Sequence, residues 1–80
     1  MPRYHFNIRD GHSTPDPDGI ELPDLSQAKI EAARRGGEIL RDNAAKFWER
    51  EDWRIDVTDA AGLQLFSITI FATMAAATAR

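Results

Sequence analysis

Residues 53–71 read WRIDVTDAAGLQLFSITIF, and this stretch decides the fold. Every second residue from Trp53 to Val57 is apolar, which is typical of a strand with one buried face. The Asp-Ala-Ala-Gly sequence that ends at Gly62 predicts a tight hairpin in which this glycine has a positive φ. Residues 64–71 are rich in β-branched and aromatic side chains and predict a further strand. We therefore expect two antiparallel strands joined by a short turn.

A second pair of strands is expected near the N-terminus. Residues 3–9, RYHFNIR, alternate between apolar and polar side chains, and residues 20–22, Ile-Glu-Leu, alternate again. The loop between them is dense in Asp, Gly and Pro, which favour turns. Because the two segments are close in sequence, we expect them to pair antiparallel.

One helix is expected between the two strand pairs. Asp24 followed three residues later by Gln27 is a capping-box pattern that predicts its first turn. Placed on a helical wheel, the apolar residues form one continuous arc: Leu25, Ala28, Ala32, Ala33, Gly36, Ile39, Leu40, Ala44 and Phe47. Gly36 lies at the centre of this arc, where a missing side chain allows the helix to approach the sheet closely. The alternative is a helix that breaks or kinks at Gly36-Gly37.

The predicted fold class is α+β, in the order β-β-α-β-β, with one helix packed on an antiparallel sheet of three to four strands. Residues 1–71 form a single domain in this interpretation. Residues 72–80 form an alanine-rich tail that is either a helical turn or disordered.

Composition excludes several classes of protein. The chain has 80 residues, no cysteine and two histidines, so disulfides and thiolate metal sites are excluded and an ordinary zinc site is not expected. The formal net charge of −3 is opposite in sign to that of a typical phosphate-binding domain. No apolar run reaches the length of a membrane span, and the N-terminus lacks an export signal, so we expect a cytoplasmic protein without membrane contact.

The last strand is apolar on both faces, which one helix cannot cover. Phe66, Ile68 and Ile70 are expected on one face, and Leu63, Leu65 and Phe71 on the other. These three residues predict an interface that buries the surplus face in a homodimer or against another small protein. Trp48 is either a further anchor of that interface or, like Trp53, a cap on the core.

The alternative function is a small nucleic-acid-binding regulator that uses the helix residues Arg34, Arg35 and Arg41. Acidic residues are interleaved with these arginines, which argues against nucleic acid as a partner. We expect no enzyme, no catalytic residue, no cofactor and no metal. The acidic residues near Asp18 do not form an EF-hand loop, because the position that requires its final glutamate is Leu25. His5 has no neighbouring nucleophile or paired carboxylate.

Several short motifs occur in a fixed order along the chain. They are M-P-R-Y-x-F at residues 1–6, Asp10-Gly11, DGIELPD at 18–24, the alanine-rich helix, and IDVTD at 55–59 before Gly62. This order resembles a short family of uncharacterised domains found mainly in alphaproteobacteria, rhizobia among them. The resemblance covers about residues 1–71. The family has no established activity, so the resemblance implies a shared fold and no catalytic residues.

Overall fold

A computed structural model describes residues 1–50 and 52–76 of the chain. It contains five strands and two helices, and the predicted α+β class is confirmed. The strands are β1 (Arg3–Arg9), β2 (Ser13–Thr14), β3 (Ile20–Glu21), β4 (Asp52–Thr58) and β5 (Gln64–Phe71). The helices are α1 (Leu25–Asp42) and α2 (Ala44–Arg50). The sheet therefore has one short strand more than the three to four expected, because residues 13–14 of the first loop pair with β1.

All neighbouring strands are antiparallel, and the order across the sheet is β2-β1-β4-β5. Strand β3 also pairs with β1. It lies on the same side as β2, so β2 and β3 together cover the two ends of one edge of β1. The long pairings β1–β4 and β4–β5 form the centre of the sheet, and β5 forms its other edge.

Asp16 fills the gap between β2 and β3. Its Oδ2 accepts a hydrogen bond from Phe6 N at 3.2 Å, and its own N–H donates to Asn7 Oδ1 at 2.9 Å. Its Oδ1 accepts from Gly19 N at 3.1 Å. Gly19 has φ 68° and a Cβ there would lie 2.8 Å from the carbonyl oxygen of Tyr4, so only glycine fits this turn. The side chain of Asp16 therefore supplies bonds that an uninterrupted strand would have made.

Helix α1 covers one face of the sheet. Asp24 caps it as predicted, since its Oδ1 accepts from Gln27 N at 3.0 Å. The central cluster of the core consists of side chains from β1, β4 and α1: Tyr4, Phe6, Ala28, Ala32, Ile55 and Val57. The helix continues through Gly36-Gly37 without a break, so close approach is the correct alternative.

The predicted single helix is wrong at Asn43, where the structure has two helices. Asn43 leaves the helical conformation with φ −126° and ψ 34°. Its side-chain nitrogen and its backbone N–H both donate to the carbonyl oxygen of Ile39, at 3.1 and 2.9 Å. Asparagine readily makes such local bonds in competition with the helix ladder. Phe47 of α2 is nevertheless buried, as the apolar arc predicts.

The expected position of Leu65 is also wrong. Residues 66–70 alternate as predicted, but the register between β4 and β5 shifts between Val57 and Thr58, which pair with Phe66 and Gln64. Leu65 is the extra residue of this irregularity, and it packs against the core cluster on the helix side. A strict period of two cannot anticipate such a bulge.

The hairpin before β5 has the predicted geometry. Gly62 has φ 87°, and its N–H donates to the carbonyl oxygen of Asp59 at 3.0 Å. Asp59 Oδ1 accepts from Ala61 N and from Leu63 N, both at 2.9 Å. After β5, residues 72–76 contain neither helix nor strand, and the predicted tail residues 77–80 lie outside the described residues.

Candidate interaction surface

Strand β5 presents a free edge. It pairs with β4 from Phe71 to Gln64, and no strand among residues 1–50 and 52–76 pairs with its other side. The outward-facing N–H and C=O groups of an edge strand are available to another chain. None of the eight residues of β5 is charged, and none is glycine or proline. The strand therefore lacks the usual features that prevent one sheet from adding to another.

The opposite edge of the sheet is protected. Strands β2 and β3 have two residues each, and the segment between them contains Pro15, Asp16, Pro17 and Asp18. Short strands, prolines and charges all block pairing with another chain. The two edges of one sheet thus have opposite character: among the described residues, only the β5 edge is long and free of proline and charge.

Two of the predicted interface residues flank this free edge. Leu63 immediately precedes β5 and is 63% exposed, and Phe71 ends the strand and is 69% exposed. Leu65, predicted with them, is half-buried against the core and contributes little to the surface. The structure therefore brings two of these three residues to one edge, at its two ends.

Trp48 lies on a different element. It belongs to α2, which packs against α1 and β4, and it is 53% exposed. Its ring meets Phe47 edge-on with centroids 5.9 Å apart. Trp53 in β4 is the tryptophan that closes the core, so of the two expected core caps only Trp53 is buried.

The face of the sheet opposite α1 has a carboxylate at its centre that sequence reasoning missed. Asp56 is only 6% exposed, because arginines from two strands lie over it. Arg9 Nε is 3.1 Å from Oδ2 and Arg54 Nε is 2.9 Å from Oδ1. Ser67 donates to the same Oδ1 at 2.7 Å. This cluster ties β1, β4 and β5 together and makes the face polar. The alternation of the strands was the one signal in the sequence that placed these residues on the same face.

The helix arginines of the alternative function are all bound to carboxylates. Arg34 binds Glu31 at 2.6 Å and also pairs with Glu38. Arg35 Nε lies 2.7 Å from Glu31, and its guanidinium carbon lies 4.4 Å from the centroid of the Phe6 ring. Arg41, in turn, pairs with the neighbouring Asp42 at 3.0 Å.

These pairs are reflected in the acidity of the groups. Burial alone would raise the pKa of Glu31, but hydrogen bonds from Arg34 and Arg35 outweigh it and hold the pKa below its ordinary value. The hydrogen bond and charge of Glu31 raise the pKa of Arg34 in turn. The exposed face of α1 is therefore largely self-neutralised.

Comparison with known proteins identifies the family. Residues 3–72 match the family described as Domain of unknown function (DUF6894). The chain belongs to this family. No curated protein matches the DUF6894 chain, and no solved structure matches it.

No group of three or more His, Cys, Asp or Glu side chains in residues 1–50 and 52–76 is placed to hold a metal ion. Within the same part of the chain, neither helix has the length and apolar character that crossing a membrane requires.

Proposed function

We propose that the DUF6894 chain is a non-enzymatic interaction module that self-associates through the free edge of β5. Two copies pair their β5 strands antiparallel and so extend one sheet across a homodimer. The observation that carries this proposal is an eight-residue edge strand without charge, glycine or proline.

Antiparallel pairing of two identical edges is supported by their symmetry. A twofold dimer brings the same patch of both copies together, and an uncharged patch does so without repulsion between like charges. No residue from 60 to 76 carries a charge, so β5 and the segments that precede and follow it are neutral.

The exposed apolar residues at the ends of β5 fit the same arrangement. When two β5 strands pair antiparallel with Ser67 at the twofold axis, Leu63 of one copy lies opposite Phe71 of the other, and this contact occurs twice. Full burial of a side chain of either kind contributes roughly 1.5–3 kcal/mol. Backbone hydrogen bonds in the middle of the interface and apolar contacts at both ends would thus hold the dimer together.

A matched pair of variants tests this proposal. Thr69 of β5 lies opposite Arg54, and Ser13 of β2 lies opposite Arg9, so the two positions are matched: each lies opposite an arginine that binds Asp56. We expect Thr69→Glu to convert a dimer into a folded monomer, because it places a charge on the free edge. Ser13→Glu carries the same charge on the protected edge and should leave the dimer intact.

Light scattering on a sizing column, at two protein concentrations about a hundredfold apart, measures the molar mass and so distinguishes monomer from dimer. A wild-type monomer at both concentrations would overturn self-association. A dimer that survives Thr69→Glu would instead place the interface elsewhere.

Other partners have less support. Nucleic-acid binding through Arg34, Arg35 and Arg41 requires guanidinium groups that are already engaged by carboxylates. Such binding would depend strongly on salt and would weaken when these arginines are replaced. A different small protein could add its own strand to β5 by the same chemistry. That outcome would appear as a monomer in isolation.

The proposal also includes the origin and the cellular location of the protein. The order of motifs that carries the resemblance supports an alphaproteobacterial origin. The absence of cysteine and the negative net charge are compatible with a cytoplasmic location.

A further inference from the structure

Helix α1 leaves the helix side of β5 partly uncovered. On that side of the neighbouring strand β4, Trp53, Ile55 and Val57 are at most 8% exposed. The corresponding side chains of β5 are only half-buried: Leu65, Phe66, Ile68 and Ile70. The apolar layer is therefore complete at β4 and incomplete at the edge of the sheet that is free.

The two flanks of α1 face opposite edges of the sheet. Arg35 lies over the ring of Phe6 in β1, whereas a Cβ on Gly36 would lie 3.3 Å from a side chain of β5. Because successive helix residues are about 100° apart, the flank beyond Gly36 faces the β5 edge. Its exposed residues include Ala33 and Leu40, and Leu40 is 40% exposed.

The charges of α1 are concentrated away from the β5 edge. The ion pairs that join Glu31, Arg34, Arg35 and Glu38 lie toward β1 and the solvent. Lys29 lies near the start of the β5 flank, and no later residue of α1 on that flank is charged. The β5 flank of the helix therefore continues the neutral character of the β5 edge.

Helix α2 repeats this asymmetry. Lys46 and Glu49 line a small cavity together with residues at the end of β1, so they lie on the β1 side of α2. Trp48 lies on the other side of the helix and is 53% exposed. The exposed apolar residues on the β5 side of the two helices form a surface that we call the neutral flank: Ala33, Leu40 and Trp48.

The pairing of two β5 strands places the helices of both copies on the same face of the joined sheet. The twofold axis of such an antiparallel pair is perpendicular to the sheet, so each face of the sheet keeps its side. With Ser67 at the axis, Phe66 of one copy lies opposite Ile68 of the other on the helix side. The neutral flank of each copy then faces the half-covered strand of the other.

We propose that the neutral flank packs on the helix side of the β5 strand of a second copy and completes the apolar layer there. This contact requires the self-association proposed above and extends it from the strand edge to the helices. Two features select a second copy as the occupant. The neutral flank is continuous with the β5 edge, and no charge of Leu40, Trp48 or β5 is buried without a partner when they meet.

Substitutions on the neutral flank test this contact. Leu40→Lys and Trp48→Lys alter exposed side chains, so both should leave a folded monomer and raise the dimer dissociation constant by about tenfold or more. Ile30→Lys is the control, because Ile30 is 60% exposed on the side of α1 that faces away from the sheet. Sedimentation equilibrium measures the dissociation constants, and circular dichroism checks that each variant is folded.

Nuclear magnetic resonance of Trp48 provides a second readout. The chain has two tryptophans, and Trp48→Phe assigns their indole N–H resonances. We expect the Trp48 resonance to shift as the wild-type chain associates between two concentrations about a hundredfold apart. In Thr69→Glu, which carries its charge on the strand edge, the same resonance should keep its monomer position at both concentrations.

Failure of the helix contact differs from failure of the β5 interface. The helix contact is overturned if Thr69→Glu dissociates the dimer while Leu40→Lys and Trp48→Lys associate like Ile30→Lys and the Trp48 resonance does not shift. That result leaves the β5 interface intact. A wild-type chain that is monomeric at both concentrations overturns both.

Discussion

A Cβ atom on Gly36 would lie 3.3 Å from Cδ1 of Ile70, so at this turn α1 rests directly on β5. The next residue, Gly37, has nothing within 4 Å of the corresponding position. Two adjacent glycines of one helix therefore differ completely in their surroundings. The first allows the helix to approach the strand that carries the free edge, and the second faces solvent.

This difference predicts that alanine substitutions at the two positions change the free energy of unfolding by different amounts. Gly37→Ala should raise the free energy of unfolding by about 0.5–1 kcal/mol, because alanine is the better helix former and meets no neighbour. Gly36→Ala has the same gain in helix propensity, but Ile70 must move to accommodate the methyl group. Urea unfolding of both variants should show a smaller gain, or a loss, at Gly36. Equal gains at both positions would contradict the close contact.

Asp16 should stabilise the fold through its charge. Partial burial acts to raise its pKa, but hydrogen bonds from the N–H groups of Gly19 and Phe6 outweigh this and lower it from the ordinary value of 3.8. A carboxyl group with a lowered folded pKa stabilises the fold above the unfolded value and loses that effect as the pH falls through the folded value. Asp16→Asn should therefore cost about 1–2 kcal/mol at pH 6.

The loss should shrink below about pH 4, where the wild type becomes protonated as well. Urea unfolding of both proteins across this pH range measures the effect. Asp18→Asn is the control, because Asp18 is exposed two residues further on and its side chain makes no hydrogen bond within the described residues. A cost for Asp16→Asn that is the same at pH 2.5 and pH 6 would show that its charge is not involved.

Leu63 and Leu65 should respond differently to the same substitution. Leu65→Lys places a charge against the core cluster, so we expect it to lower the free energy of unfolding of the monomer by about 1–2 kcal/mol. Leu63→Lys alters an exposed side chain and should change it by less than about 0.5 kcal/mol. Chemical denaturation at low protein concentration compares the two. If Leu65→Lys were harmless, the bulge would be misplaced and Leu65 would lie on the opposite face.

Phe71 should matter for association and not for folding. Phe71→Lys retains a folded monomer, since it lies opposite Asp52 and gains an ion-pair partner there. It should weaken the dimer by about tenfold or more, because a charge replaces an apolar contact at each end of the interface. Ile30→Lys removes a similarly exposed apolar side chain (60% against 69%) from α1 and should leave the dimer unchanged. Sedimentation equilibrium measures the dimer dissociation constant of each variant. Equal weakening of the dimer by both substitutions would indicate a general effect of surface charge.

Much of this fold could be predicted from the sequence. Strands β1 and β5 have the expected limits, since an alternating or β-branched run ends clearly at a turn. The cap at Asp24 and the positive φ of Gly62 follow from local chemistry alone. The predictions that failed were those that continued one periodicity of apolar residues strictly through a whole helix or strand. Asn43 interrupts the helix with a side-chain bond, and Leu65 is displaced by a shift in register.

The site was less predictable than the fold. The surplus of apolar residues in the last strand indicated an interface, but the interface that we propose rests on the position of β5 at an edge of the sheet. Strand order depends on long-range pairing that no local pattern contains. The cluster around Asp56 was missed for the same reason, since Arg9 becomes its neighbour only through the register of β1 with β4.

The most direct test of the β5 interface is amide hydrogen exchange of residues 64–71 at two protein concentrations about a hundredfold apart. In a dimer joined at this edge, the outward-facing N–H groups of β5 are hydrogen-bonded to the second copy. We therefore expect their exchange to slow markedly at the higher concentration, while the amides of Ser13 and Thr14 exchange at the same rate at both. Exchange in β5 that is independent of concentration, in a chain that is nonetheless dimeric, would show that the copies meet through another surface.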